Sequence, residues 1–233
     1  MSIIVITGAS QGIGRALAEA FSKEHKSQIV LVSRNKDKLD EVASVCNQNG
    51  AETLVLPCDV TQMSDVAVMG EEVKSQWGVP DVLINNAGLF QPGSLLEMDV
   101  MSFQQQLDVN LSSAFFVTKA FLADMVERGS GSIFYMASVA SIRAYAGGAA
   151  YCAAKHGLLG LARCVREETK DNGIRVTALL PGATFTPSWD GVDLPEERFM
   201  PASDIAQAVL DIHHMTDRTV VEEIVLRPQR GDL

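Results

Sequence analysis

The fold is decided near the start of the chain, by the stretch Ile3-Ile4-Val5-Ile6-Thr7-Gly8-Ala9-Ser10-Gln11-Gly12-Ile13-Gly14. Its apolar beginning predicts a strand that is buried on both faces of a parallel sheet. A glycine-rich turn then leads into helical sequence at 15–21, and a helix N-terminus of this kind favours an anion. A tight turn without a ligand is the alternative, but three glycines within seven residues are costly unless the backbone must approach something closely. The stretch therefore predicts a pyrophosphate site formed by Gly8, Ser10, Gln11, Gly12, Ile13 and Gly14.

Beyond this stretch, apolar runs alternate with helical sequence along the chain. We predict strands at Ile3–Thr7, Ile29–Ser33, Thr53–Pro57, Val82–Asn85, Ser132–Ala137, Arg175–Leu180 and Glu223–Leu226. Long helices are expected around Asp99–Arg128 and Ala150–Asn172. This alternation is typical of an α/β fold, a doubly wound parallel sheet of the Rossmann type with helices on both faces, and we expect one domain over 1–233. Ligands of such sheets bind beyond the carboxyl ends of the strands, where we expect Gly8, Asp59, Asn86, Ser138 and Pro181.

A tyrosine and a lysine four residues apart are the most informative pair in the second half of the chain. Tyr151 and Lys155 would share a helix face, because positions i and i+4 are neighbours on a helix. A free phenol has a pKa of about 10, and a nearby ammonium favours the phenolate. Lys155 is therefore expected to lower the pKa of Tyr151 toward the range of a general acid or base. Tyr135 and Tyr145 have no lysine at this spacing.

Together these motifs resemble the short-chain dehydrogenase/reductase family from the first strand to about residue 187. The resemblance is carried by Thr7-Gly8 with Gly12 and Gly14, Cys58-Asp59-Val60, Asn85-Asn86-Ala87-Gly88, Asn110, Ser138, Tyr151, Lys155, Pro181-Gly182 and Thr186. Each motif is modest alone, whereas the full set in family order is specific. The resemblance implies an oxidoreductase that moves a hydride between a nicotinamide cofactor and a ketone or secondary alcohol, without a metal.

The resemblance also implies a role for each catalytic candidate. Ser138 would orient the substrate carbonyl, and Tyr151 would deliver or remove the proton. Lys155 would lower the pKa of Tyr151 and bind the nicotinamide ribose. Asn110, a poor helix former in mid-helix, would hold a water that links the lysine to solvent.

The end of the second strand predicts the cofactor. Arg34 stands there instead of the carboxylate that would bind an NAD ribose, and a guanidinium can hold a 2′-phosphate in a charge-assisted pair. We therefore expect NADPH in preference to NADH, with Ser33 and Asn35 as helpers, although position 11, basic in many NADP-binding relatives, is Gln11. A solvated loop charge is the alternative for Arg34. The resemblance implies further cofactor contacts at Asp59, Val60, Asn86, Ala87, Gly88, Tyr151, Lys155, Pro181, Gly182, Thr184 and Thr186.

The substrate is expected to depend on the segment from Ala183 to about Pro201, as the resemblance implies. Its apolar members are Trp189, Leu194, Phe199 and Met200, and Arg143 and Tyr145 could also line the pocket. They favour a partly hydrophobic carbonyl compound, or else a lid that simply packs down. A 3-oxoacyl thioester reductase, acting on an acyl carrier protein or CoA substrate, is one alternative. Two observations count against it: an acidic carrier protein would need a basic patch on this acidic chain, and the tail departs from the glycine-rich ending common in those reductases. A non-catalytic NADP-sensing protein is another, which the complete set of Ser138, Tyr151, Lys155 and Asn110 disfavours.

Composition and charge exclude several classes of function. A net charge of -10 argues against nucleic-acid binding. We found no secretory hydrophobic region and no apolar run of membrane-spanning length, so a cytoplasmic protein is expected. The four cysteines and four histidines show no metal or disulfide spacing. A homodimer or homotetramer is expected from the resemblance, through alanine-rich outer faces of the two long helices (Ala114, Ala120, Ala123, Ala153, Ala154 and Ala162), with packing on the sheet as the alternative.

Overall fold

Nine strands lie in the part of the chain that the computed structural model describes, residues 1–189 and 191–233. They are β1 (Ser2–Thr7), β2 (Ser27–Ser33), β3 (Glu52–Pro57), β4 (Val82–Asn85), β5 (Gly131–Met136), β6 (Ile174–Pro181), β7 (Thr184–Phe185), β8 (Met200–Pro201) and β9 (Glu223–Leu226). Seven of them form one parallel sheet in the order β3-β2-β1-β4-β5-β6-β9, and β7 pairs with β8 separately. The order reverses between β1 and β4, which is where doubly wound sheets bind their ligands.

Helices cover both faces of the sheet. They are α1 (Gly12–Phe21), α2 (Lys36–Gln48), α3 (Met63–Gln76), α4 (Val100–Leu107), α5 (Ser113–Arg128), α6 (Ala149–Thr169) and α7 (Ala202–His213). Successive residues of β1 point to opposite faces, so Ile4 and Ile6 pack in a core with α1, α2 and α7. Val5 packs in a second core with α3, α5 and α6. The continuous apolar run in β1 is therefore explained by burial on both sides.

The predicted fold class is confirmed. All seven predicted strands are present, and Val82–Asn85 and Glu223–Leu226 have the predicted bounds. The other five differ by one or two residues at one or both ends. The β7–β8 pair was not predicted, because two residues are too few to show any periodicity.

The long helix predicted at Asp99–Arg128 contains a π-helical turn. α4 ends at Leu107, the π turn covers Asp108–Ser112, and α5 begins at Ser113. Asn110 lies buried in this turn, and its Nδ2 donates to the Gln106 carbonyl at 3.0 Å. Single π turns inside α-helices are frequent at functional sites. The interruption therefore falls at the residue of this helix that the sequence predicts to be catalytic.

In the described part of the chain, the stretch Val100–Arg128 is the one helix long and apolar enough to cross a membrane by length and composition. The core helix of a soluble protein passes the same test, so this is weak evidence. Two of its apolar side chains, Val117 and Phe121, are buried in the core.

The alanine-rich helix faces are only partly outward. Ala114, Ala154 and Ala162 are buried within the chain, so the expectation that they form an outer contact face is wrong. Ala114 and Ala162 pack in the core beside the sheet instead. Ala123 and Ala153 are exposed.

The glycine-rich turn packs against its neighbours at backbone distance. Gly8 has a φ of +66°, and a Cβ there would lie 2.9 Å from the Ala87 Cα. A Cβ at Gly14 would lie only 2.2 Å from the Gly8 carbonyl oxygen. Both positions exclude a side chain, so the start of α1 rests directly on the turn.

We expect Gly14→Ala to destabilise the protein by about 1–3 kcal/mol or more, because the new methyl group meets backbone that cannot rotate away. Gly160→Ala is the matched control, since Gly160 lies in α6 and a Cβ there has nothing within 4 Å. That change should stabilise the protein by about 1 kcal/mol. Urea unfolding measures both free energies. A Gly14→Ala protein as stable as the wild type would contradict the packing of the turn.

Candidate active site

A cavity of about 850 Å³ opens at the carboxyl ends of the strands. Every predicted site residue except Gly14 lines this cavity. Gly14 lies beneath the turn, against Gly8. The strand ends thus bring together residues that are more than a hundred positions apart in the sequence, as their placement after the strands predicts.

Ser138 lies where β5 ends and is buried. Its hydroxyl oxygen accepts a hydrogen bond from the Ala140 N–H at 3.1 Å and lies 3.4 Å from the Pro181 carbonyl, to which it donates. Ser138 therefore caps the short 3₁₀ turn Val139–Ser141 and is held between β5 and the end of β6. This fixes the position of the hydroxyl at the cavity wall.

Lys155 and Tyr151 project from the first half of α6. The Lys155 side chain is 3% exposed, and its Nζ donates to the Met136 carbonyl at 2.7 Å. The same Nζ lies 5.6 Å from the centroid of the Tyr151 ring. The i, i+4 spacing places the two side chains together, as predicted from the sequence.

Burial sets the protonation of this pair. It raises the pKa of Tyr151 to about 12, an effect that the Ser138 hydroxyl opposes. Burial also lowers the pKa of Lys155 to about 7. Burial thus sets the direction of the shift at Tyr151 in this structure, and the lowering of its pKa by Lys155 stays a prediction. At neutral pH the phenol of Tyr151 keeps its proton.

Asn110 ties the π turn to the loop after β4. Its Oδ1 accepts from the Leu89 N–H at 3.1 Å, and its Nδ2 donates to the Leu89 carbonyl at 2.8 Å. The loop brings Gly88 between two of the predicted catalytic side chains. A Cβ on Gly88 would lie 3.2 Å from Asn110 Oδ1 and 3.7 Å from Lys155 Nζ. The side chain of Asn110 thus positions the loop, and the water that the resemblance implies remains a prediction.

Asn85 and Asn86 have separate structural roles at the end of β4. Asn85 is buried and donates to Thr118 Oγ1 at 3.0 Å, inside the protein. This bond joins β4 to α5, so the expectation that Asn85 holds the central strands together stays a prediction. Asn86 Nδ2 donates to the Thr7 carbonyl at 2.9 Å and to the Gly8 carbonyl at 3.3 Å, so its amide braces the glycine-rich turn.

Asp59 forms a local turn at the end of β3. Its Oδ1 accepts from the Thr61 N–H at 3.0 Å and from Thr61 Oγ1 at 2.8 Å. No other hydrogen bond to the Asp59 carboxylate is formed within residues 1–189 and 191–233. Its other oxygen, Oδ2, forms no hydrogen bond among these residues, and Asp59 lines the cavity.

The end of β2 forms one end of the cavity. Ser33, Arg34 and Asn35 line it, and the Ser33 Oγ is a buried atom without a hydrogen-bond partner. The Asn35 oxygen accepts from the Lys38 N–H at 3.0 Å and caps α2. The side chain of Asn35 is therefore partly committed to the helix.

The segment after β6 folds back over the glycine-rich turn. Thr184 donates to the Gly182 carbonyl at 3.1 Å. A Cβ at Gly12 would lie 3.2 Å from Thr186 Cγ2. Thr186 therefore closes the cavity above Gly12.

An aromatic wall, formed by Phe90, Tyr151 and Trp189, lines one side of the cavity. The Phe90 and Tyr151 ring centroids are 5.1 Å apart with an edge-to-face geometry, and those of Phe90 and Trp189 are 6.2 Å apart. Trp189 rests in turn on buried Phe199 at 5.1 Å. Such pairs hold their rings in fixed positions.

The predicted substrate segment is thus divided between cavity and core. Trp189 lines the cavity, whereas Phe199 and Met200 are buried and pack down. Leu194 is 41% exposed and does not line the cavity. Asp190, within this segment, lies outside the described residues.

An ion-pair cluster forms the rim of the cavity. The Arg143 guanidinium lies 3.0 Å from the Asp232 carboxylate, which also binds Arg227. Arg143, Tyr145 and Asp232 line the cavity, as suggested for the first two from the sequence. Among the described residues, no group of three or more His, Cys, Asp or Glu side chains could hold a metal ion.

Phe90, Lys38 and Asp232 are among the lining residues that the sequence analysis missed. Phe90 follows the predicted Asn85-Asn86-Ala87-Gly88 motif by two positions, and this nearness was the available signal. Lys38 and Asp232 carry no local signal. Their positions depend on the cap of α2 and on the return of the chain end to the cavity rim.

Comparisons with known proteins agree with this geometry. The family model described as short chain dehydrogenase matches residues 2–196. The chain is 36% identical to a sepiapterin reductase of Chlorobaculum tepidum, over 99% of this chain and 98% of that one. An alcohol dehydrogenase of Thermococcus sibiricus, solved with 5-hydroxy-NADP, superimposes with a TM-score of 0.92 at 30% identity, covering 100% and 99% of the two chains. A metagenomic short-chain oxidoreductase, solved with NADP, gives 0.87 at 30% identity, covering 98% and 97%.

The lowered pKa of Lys155 predicts a pH dependence of stability. Unfolding returns its pKa from about 7 to 10.5, so between these values the unfolded chain binds a proton that the folded protein has lost. The free energy of unfolding should therefore rise with pH in this window, by at most about 1.4 kcal/mol per pH unit. Lys155→Met should lack this rise.

Urea unfolding at pH 7.5 and 9.5, without added nucleotide, measures the effect. The contributions of other titrating groups to the free energy of unfolding cancel when Lys155→Met is compared with the wild type. Lys119→Met, a change at an exposed lysine of α5, is the control and should keep the wild-type pH dependence. A difference between wild type and Lys155→Met that stays constant with pH would contradict a neutral Lys155.

Proposed function

Because this chain belongs to the short-chain dehydrogenase family, we propose that it is an oxidoreductase that uses NADPH to convert a ketone into a secondary alcohol, reversibly. The proposal rests on one observation, the meeting of Ser138, Tyr151 and Lys155 at a single cavity. The bound cofactors of the two related structures, 5-hydroxy-NADP and NADP, support the choice of nucleotide.

The residues at the end of β2 fit the cofactor. The buried hydroxyl of Ser33 lacks a partner, and an unsatisfied buried polar atom is a reason to expect a ligand. Arg34 is exposed and forms no ion pair in residues 1–189 and 191–233. The close packing at Gly8 and Gly14 leaves the turn free of side chains, so a pyrophosphate could reach its N–H groups. Arg34 would hold the 2′-phosphate, and the turn would hold the pyrophosphate.

The protein side of the reaction follows from the positions of three side chains. When bound, NADPH would supply the hydride that reaches the carbonyl carbon. Ser138 would donate to the carbonyl oxygen and hold it. Tyr151, whose raised pKa keeps it protonated at neutral pH, would transfer its proton to the same oxygen as the alcohol forms. Lys155 would then stabilise the resulting phenolate, since its own pKa near 7 allows it to take up a proton.

The aromatic wall favours a substrate with a flat ring. Phe90 and Trp189 line the cavity beside Tyr151, so a ring stacked there would leave a side-chain ketone at the phenol. The relative from Chlorobaculum tepidum is named a sepiapterin reductase. Sepiapterin has a pterin ring with a ketone on its side chain. Asp232 lines the cavity and binds both arginines through Oδ2, so its Oδ1 would accept from ring N–H groups. We therefore propose a ketone attached to a flat heteroaromatic ring as the substrate class.

A 3-oxoacyl thioester is the second candidate. Arg143 and Arg227 both pair with the Asp232 carboxylate, which leaves one excess positive charge beside the cavity. One excess charge is a small site for an acidic carrier, so this candidate ranks below the first. A panel that contains both substrate classes separates the candidates.

We expect Tyr151→Phe to abolish turnover, because Phe cannot supply the proton, while NADPH still binds. Loss of NADPH absorbance measures turnover on a panel of sepiapterin, aromatic ketones, diketones and 3-oxoacyl thioesters. Quenching of tryptophan fluorescence measures binding. Tyr145→Phe, which removes the other phenol of the cavity, should keep measurable turnover. A Tyr151→Phe enzyme that retains full activity would reject the assignment.

We expect Phe90→Ala and Trp189→Ala to raise the KM for sepiapterin about tenfold, because each removes a stacking surface. The KM for a small aliphatic diketone should change much less. Phe115→Ala is the control, since Phe115 is exposed on α5 and does not line the cavity. An equal rise for both substrates would show that the wall supports the fold and does not select the ring.

A further inference from the structure

Lys38 approaches the glycine-rich turn from the first turn of α2. Its Nζ donates to Gln11 Oε1 at 2.9 Å, across 27 positions of sequence. Both side chains line the cavity at the end where Ser33 and Arg34 also lie. The ammonium of Lys38 thus lies at the same end of the cavity as the guanidinium of Arg34. We call this end the recess; it is lined by Gln11, Ser33, Arg34 and Lys38.

The charges around this recess are unbalanced. Neither Lys38 nor Arg34 has a carboxylate within ion-pair distance in the described chain, although the protein carries ten more negative than positive charges. Asp37, next to Lys38, is exposed and does not line the cavity. The carboxylates that do line it are Asp59 and Asp232. Two cations without a carboxylate partner among the described residues, beside a buried hydroxyl without a hydrogen bond, form a site for a dianion.

Two hydrogen bonds fix the position of Lys38. Its backbone N–H is bound by the Asn35 side chain, which caps α2, and its ammonium is bound by Gln11. Because an amide oxygen carries no negative charge, Gln11 orients the ammonium without neutralising it. Lys36, two residues earlier, differs: its Nζ lies 2.6 Å from Asp40, and it does not line the cavity.

We propose that Lys38, oriented by Gln11, is a second determinant of the preference for NADP and binds the 2′-phosphate together with Arg34 and Ser33. This inference rests on the cofactor assigned in the proposed function. It adds a residue from α2 to a recognition site that the sequence attributes to the end of β2 alone.

The test uses nucleotide fragments, so it needs no turnover. Isothermal titration calorimetry measures the Kd of 2′,5′-ADP, which has the 2′-phosphate, and of 5′-ADP, which lacks it. Lys38→Met should raise the Kd of 2′,5′-ADP about tenfold, which is the effect of losing one charge-assisted hydrogen bond at an exposed site. The Kd of 5′-ADP should stay unchanged. Arg34→Ala should show at least the same selective loss. Lys36→Met is the matched control and should bind both nucleotides as the wild type does.

A rescue variant separates a phosphate contact from a structural role. Gln11→Lys placed in the Lys38→Met protein returns a cation to the same position from the other side of the recess. It should recover most of the lost affinity for 2′,5′-ADP. If Lys38 instead only supported the fold, a lysine at position 11 would leave the structural defect in place, and the affinity for both nucleotides would stay low. The affinity should also become more sensitive to salt than in Lys38→Met alone, because a charge contact has been restored.

The outcomes separate this proposal from the proposed function. Wild-type selectivity for 2′,5′-ADP that persists in Lys38→Met overturns the role of Lys38 and leaves the cofactor assignment standing. An equal loss of both nucleotides in Lys38→Met also overturns it, since that result indicates a structural role. A wild-type protein that binds the two nucleotides equally overturns the cofactor preference, and the proposal with it.

Discussion

The contact between the ends of β1 and β4 is the constraint on which the rest of the structure depends. Thr7 Oγ1 accepts from the N–H groups of Asn86 and Ala87 at 3.0 and 3.1 Å, and the amide of Asn86 returns two bonds to the turn. The two strands are neighbours where the order of the sheet reverses. A crevice must open there, because the connections on either side leave in opposite directions. Every group that lines the cavity is positioned relative to this junction.

Much of this arrangement could be predicted from the sequence because it depends on local chemistry. The apolar run of β1 and the glycines after it fix a strand, a turn and a helix in one short stretch. The i, i+4 spacing of Tyr151 and Lys155 places both side chains on one face of α6 without any tertiary information. The strand ends then bring Asp59, Asn86 and Ser138 to one edge, since parallel strands share a direction.

The remainder depends on tertiary contacts that no local pattern records. The direction of the pKa shift of Tyr151 follows from burial, and burial depends on tertiary packing such as the edge-to-face contact with Phe90. The π turn at Asn110 arises because its side chain bonds to a loop 21 positions away. Three of the alanines expected on an outer face are buried, since small residues suit close packing of a helix on a sheet as well as contact between subunits.

The aromatic wall also gives the protein an optical reporter. Only two tryptophans are present, Trp77 and Trp189. Trp77 follows α3 and packs against the core that contains α3, α5 and α6. Trp189, in contrast, lines the cavity. With Trp77 replaced by Phe, the emission of a single indole would follow events at the site, including energy transfer to a bound dihydronicotinamide. Occupancy could then be watched in real time, without a label and before any substrate is known.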